Sequence, residues 1–131
     1  MSKEDFEKYS EIRVFLHHIY EYKKGIRNLV LCTTNRYCAD LVIERLKQDK
    51  INHVIQEVCN DKVNLYFGKE ECLSVVTTFI SKQLNLLTPE EDFLLGIMLG
   101  YDVTRQCERY CVNVEKVKTK MSMHVSDRCT A

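Results

Sequence analysis

The chain has 131 residues, enough to bury one hydrophobic core and too few for two catalytic domains. Its 19 Lys and Arg balance 19 Asp and Glu, so the excess positive charge that favours phosphate backbones or anionic membrane surfaces is absent. With 45% hydrophobic and 29% charged residues, the composition is that of a folded globular domain, neither disordered nor fibrous.

The first residues are charged, with no apolar leader, and no run reaches the roughly 18 apolar residues of a membrane span. Residues 1–11 read as an N-terminal arm, and the protein is expected to be cytoplasmic, without membrane or nucleic-acid partners. From Ile12 to Tyr22 the residues IRVFLHHIYEY are rich in β-branched and aromatic types, and RNLVLCTT (27–34) repeats that character. Two strands joined by a tight turn are expected, with Gly25 supplying a positive φ. Residues 36–50 place Ala39, Val42, Ile43 and Leu46 at helical spacing behind Asn35, a candidate N-cap. A second hairpin is predicted from the runs 51–58 and 63–67, turning at Cys59-Asn60-Asp61-Lys62.

After Gly68, Cys72, Val75, Val76, Phe79, Ile80 and Leu84 follow a helical period, which predicts a helix over 69–85. Thr88-Pro89-Glu90-Glu91 reads as a capping box with proline at the first helical position. The helix that follows, Phe93 to Leu99, is apolar nearly all round and must be enclosed by protein, with Gly100 as its C-terminal cap. A last helix over 102–118 stacks Val103, Cys107, Tyr110, Cys111 and Val114 on one side, and 119–131 reads as a flexible tail.

The expected order is β-β-α-β-β-α-α-α, an α+β domain over 12–118. Connection rules then favour a two-layer sandwich on a four-stranded antiparallel sheet of order 1-2-4-3, ferredoxin-like with its first strand permuted. The first two helices would cover one face. The other face also needs cover, from the third helix or from a second subunit, because the first strand is apolar on both sides.

Candidate chemistry is sparse. On a strand His17 and His18 would point to opposite faces, and His17 and Glu21 would lie roughly 13 Å apart, so these residues read as partly buried structural groups or as separate binding groups. Cys107 and Cys111, at i and i+4, could offer two thiolates to a metal but would need two further ligands. The seven cysteines (32, 38, 59, 72, 107, 111 and 129) are an odd number and fit reduced thiols better than a disulfide framework. Glu90, Glu91 and Asp92 suit a helix start, and Tyr101-Asp102 reads as closing one helix and capping the next. Gly96 and Gly100 form G-x-x-x-G, where another backbone could approach. Lys23, Lys24 and Arg27, like Lys116, Lys118 and Lys120, read as solvated ends. No phosphate-loop, dinucleotide, hydrolase or metalloprotease motif occurs, no nucleophile-base set can be assembled, and no cofactor can be named.

The segments RVFLHHIYEYKKGIRNLVLCT, VNLYFG and LTPEEDFLLGIMLGYDVTRQCERY resemble an uncharacterised bacterial family of short single-domain proteins, a domain of unknown function, over about Ile12 to Tyr110. The resemblance implies a compact α+β domain and supplies no activity. His17, His18, Glu21, Arg27, Tyr66, Gly68, Glu91, Asp92, Gly100, Tyr101, Asp102 and Cys107 fall in the family-like segments. Two functions follow as expectations: a homo-oligomeric interaction or regulatory module, joined through the second sheet face or the Phe93–Leu99 helix, or a small-ligand, metal or redox protein. The second would use His17 or His18 with Glu21, or the Cys107–Cys111 pair, with Arg27, Tyr66, Asp92, Tyr101 and Asp102 as further binding candidates.

Overall fold

The computed structural model describes residues 3–129, with side chains from 10 to 122; Met1, Ser2, Thr130 and Ala131, parts of the expected arm and tail, lie outside the described residues. The main departure from expectation comes at the start. Lys3–Lys23 form a single helix of 21 residues, α1, in place of the strand over 12–22. Phe15 and Ile19 are buried, with Ile12 and Tyr22 half-buried beside them, a 3-4-3 spacing that fits one helical stripe. The residues that suggested strand alternation, Val14, Leu16 and Tyr20, stay exposed. The Glu- and Lys-rich residues before them are good helix formers and extend the element backwards. Gly25 has the expected positive φ, 79°, but it closes a helix. Its N–H donates to Tyr22 C=O, and Ile26 N–H donates to Glu21 C=O, both at 3.0 Å, which is the Schellman pattern.

The sheet therefore has three strands: β1 (Leu29–Asn35), β2 (Asn52–Cys59) and β3 (Lys62–Gly68). Their order is β1-β3-β2, antiparallel at both contacts. The four-stranded, ferredoxin-like sheet of order 1-2-4-3 is thus corrected, because its leading strand is helical. The fold is α+β, with five α-helices among the described residues. β2 and β3 join through Asn60 and Asp61, both at positive φ (41° and 68°), which suits the right-handed strand twist.

Helix α2 (Arg36–Gln48) starts where the Asn35 side chain accepts the Cys38 N–H at 2.8 Å, and buries Cys38, Ala39, Val42, Ile43 and Leu46. Helix α3 (Glu70–Thr77) is half the expected length. The Thr77 and Thr78 hydroxyls donate to the Ser74 and Val75 carbonyls, a local competition that favours helix ends. Turns carry Phe79 into the core instead, and a 3₁₀ turn, Leu84–Leu86, follows. Helix α4 (Pro89–Met98) opens on the full capping box of Thr88 and Glu91. Helix α5 (Val103–Cys129) is longer than expected.

Strand alternation divides the core in two. Val30, Leu65 and Phe67 pack with Phe15 and Ile19 of α1 and Val42, Ile43 and Leu46 of α2. Leu29 and Tyr66 point the other way, onto Leu73 and Val76 of α3, Phe79, and Leu95 and Leu99 of α4. β3 is buried from Val63 to Gly68 because both faces are covered. The expected pairing of the first two predicted helices on one face is corrected as well. α2 shares its face with α1, and α3 lies opposite with α4, so no second subunit is needed to shelter the sheet.

Candidate functional site

The helical conformation of α1 rearranges the first group of candidates. His17 and Glu21, far apart on a strand, are one turn apart on a helix: His17 Nε2 lies 3.0 Å from Glu21 Oε1, and His18 Nδ1 lies 3.7 Å from the same oxygen. Arg27 Nε donates to Glu21 Oε2 at 2.9 Å. Burial works against ionisation of Glu21, but the Arg27 hydrogen bond and charge, with the two histidines, outweigh it and hold the carboxyl below its ordinary value. Burial, then the Arg27 charge, lowers the His18 pKa against the pull of Glu21. His18 is therefore neutral at pH 7, and its buried Nδ1 has no hydrogen-bond partner among the described residues. The cluster fastens the loop after α1 to the helix that precedes it. Beside it, burial raises the Cys32 thiol to about 11, despite Arg27, which leaves little thiolate for nucleophilic chemistry.

The second group sits where α4 and α5 form a helical hairpin. Tyr101 N–H donates to Gly96 C=O and Gly100 N–H to Ile97 C=O, and Gly100 has a φ of 83°, again the Schellman closure. Asp102 Oδ2 accepts the Arg105 N–H at 2.9 Å, so Asp102 caps α5. Both oxygens of Asp92 accept from Arg109, at 2.7 and 3.0 Å, a bidentate pair. The Tyr110 hydroxyl donates to Glu90 at 3.3 Å, and its ring meets Phe93 edge-on at 5.7 Å. Glu91 is held by its capping box and by Lys82. The acidic run thus binds its own neighbours. A cleft of about 320 Å³ opens between this hairpin, the edge strand β1 and the 3₁₀ turn. Leu31, Leu84, Leu87, Leu95 and Leu99 line it, with Asp92, Tyr101, Gln106 and Arg109 as its polar groups.

Asp92 and Tyr101 thus share one site, while His17, His18, Glu21 and Arg27 share another. Tyr66 joins neither; it is 1% exposed inside the sheet–α3–α4 core, and burial raises its hydroxyl to about 12. Cys107 and Cys111 are exposed on α5, and no group of three metal-ligating side chains forms among the described residues. The six cysteines with described side chains are free thiols. Gln106 and Arg109 were missed by the sequence reading. The only hint was Gly96, and what approaches it is the Gln106 carboxamide rather than a backbone: a Cβ at Gly96 would overlap that group.

The architecture defines the class: a three-stranded antiparallel sheet between two helical layers, extended by a long helical hairpin. A family model described as a protein of unknown function (DUF2023) matches residues 13–113, and the chain belongs to that family. A search of curated proteins returned no match. No helix among the described residues is long and apolar enough to cross a membrane.

Proposed function

We propose that the protein is an interaction module that associates with a second copy of itself through the α4–α5 hairpin. One observation supports this above the others. Val103, Cys107, Tyr110, Val114, Val117 and Met121 follow a 4-3-4-3-4 spacing along α5, the heptad pattern of a helix that packs against further helices. Helix α4 spans about 15 Å and α5 about 40 Å at 1.5 Å per residue, and along that seam only Tyr110, which meets Phe93 of α4, and Val114 are half-buried. Val103 (60%), Val117 (43%) and Met121 (64%) remain exposed, as do Leu94 and Ile97 on α4. The seam is short for an isolated two-stranded coil, and pairing two hairpins into a four-helix bundle buries it more fully. Zero net charge lowers repulsion between copies. Lys116, Lys118 and Lys120 crowd one end of the seam, which favours an antiparallel arrangement that keeps the two lysine groups apart.

Sedimentation of the full chain at micromolar concentration is expected to give a dimer, and the double variant Val117→Glu with Met121→Glu a monomer of unchanged fold. A Leu16→Glu variant, altered on exposed α1, is expected to remain dimeric. A monomeric wild-type chain would overturn the reading.

A further inference from the structure

The cleft between α4, α5 and β1 lies beyond the self-association seam and holds a polar group that the fold leaves unused. Gln106 is only 8% exposed, and its carboxamide sits in the space that a Cβ at Gly96 would take, on the wall of the cleft. No hydrogen bond within the described residues engages that carboxamide; the Gln106 backbone N–H alone is committed, to Asp102 C=O at 3.0 Å. Its amide atoms are not among the fully enclosed ones without a partner, so they stay open to the cleft, where a ligand can engage them. The adjacent charges offer none: Asp92 and Arg109 neutralise each other through two hydrogen bonds. What remains is an apolar floor, with one group that presents a donor and an acceptor side by side.

We infer that this cleft binds a small, uncharged, largely apolar molecule whose edge carries an adjacent N–H and C=O, as in a lactam or an oxo-heterocycle, paired in two hydrogen bonds with Gln106. The volume of about 320 Å³ lies at the lower end of ligand pockets and suits a one- or two-ring molecule. Neutrality follows from the mutual cancellation of Asp92 and Arg109, since an ionic ligand would have to break that pair. Donor–acceptor pairing follows from the carboxamide, which can satisfy both of its functions only against a complementary edge. Gly96 makes the arrangement possible, because any side chain there would push Gln106 out of the wall.

Isoquinolone tests the assignment by protein NMR titration of the full chain. It is expected to shift the side-chain amide of Gln106 and the methyls of Leu31, Leu84, Leu87 and Leu95. N-methylisoquinolone, which has the same body without the donor, is expected to bind roughly tenfold more weakly, the loss of one good hydrogen bond. Gln106→Met, which preserves volume, is expected to erase that preference. Absence of any shift at low millimolar isoquinolone overturns the inference. So does equal binding of the two compounds by the unaltered protein, or tighter binding of benzoate than of isoquinolone. Because the Val117→Glu/Met121→Glu variant leaves the cleft intact, failure of dimerisation and failure of ligand binding are read separately.

Discussion

Asn64 holds the three strands together by side chain as well as backbone. Thr33 of β1 donates its hydroxyl proton to Asn64 Oδ1 at 2.6 Å, and Asn64 Nδ2 donates to Gln56 Oε1 of β2 at 2.9 Å. Gln56 Nε2 then donates to the carbonyls of Ile80 and Lys82, at 2.7 and 2.6 Å. One polar chain therefore crosses the sheet and pins the segment after α3, where no regular helix satisfies those carbonyls. Asn64→Ala removes the partners of the Thr33 hydroxyl and of Gln56 Oε1, and is expected to cost about 1–3 kcal/mol in urea unfolding. His18 makes a second prediction. Its folded-state pKa lies below the ordinary 6.5, so the unfolded chain binds more protons just below that value. Stability is therefore full above about pH 6.5 and declines as the pH falls through 6.5 toward the lower folded value. Glu21, also lowered, acts in the same direction at more acidic pH. The melting temperature is expected to drop between pH 7.5 and 5.5, and His18→Gln to flatten that drop.

Among the elements, those with a local physical marker were legible in the sequence. The capping box at Thr88 and Glu91, the Asn35 cap, the Asn60-Asp61 turn and the Gly100 closure each act within a few residues, and each is present. Helix α1 was hidden because its stripe of Ile12, Phe15, Ile19 and Tyr22 is interleaved with exposed Val14, Leu16 and Tyr20. Their β-branched and aromatic character imitates a strand, and tertiary packing overrides such propensity. That one misreading also separated His17 from Glu21. The end of α3 was obscured in the opposite way, since Phe79 and Ile80 continue a helical spacing through turns that are not helical. The cleft escaped altogether, because Gln106 and Arg109 are ordinary residues on an amphipathic helix and gain meaning only from Gly96 and Asp92 across the hairpin. α2 ends in another Schellman closure, with Ile51 N–H donating to Leu46 C=O and Lys50 N–H to Lys47 C=O. Here the left-handed residue is Lys50, at a φ of 57°, where a side chain is disfavoured. Lys50→Gly is expected to stabilise the protein by about 1 kcal/mol in chemical denaturation.

At the scale of the molecule, both helical layers pack on the sheet through apolar side chains and differ in the polar contacts added to that packing. In the α1–α2 layer the two helices are also linked to each other by charge: Asp49, at the end of α2, receives Lys23 of α1 at 2.8 Å and, within its own helix end, Arg45 at 3.0 Å. The α3–α4 side adds the polar chain through Gln56, and it alone carries the projecting α5. Substitutions that weaken the second layer should therefore disturb the hairpin and its seam before they disturb α1. The central place of β3 has a further consequence for biosynthesis. β1 and β2 make no ladder with each other, and every inter-strand bond passes through the strand translated last. A nascent chain emerging from the ribosome thus carries β1 without a strand partner until Lys62–Gly68 has followed β2 out of the exit tunnel. Neither antiparallel contact of the sheet can form before that stretch of seven residues is available.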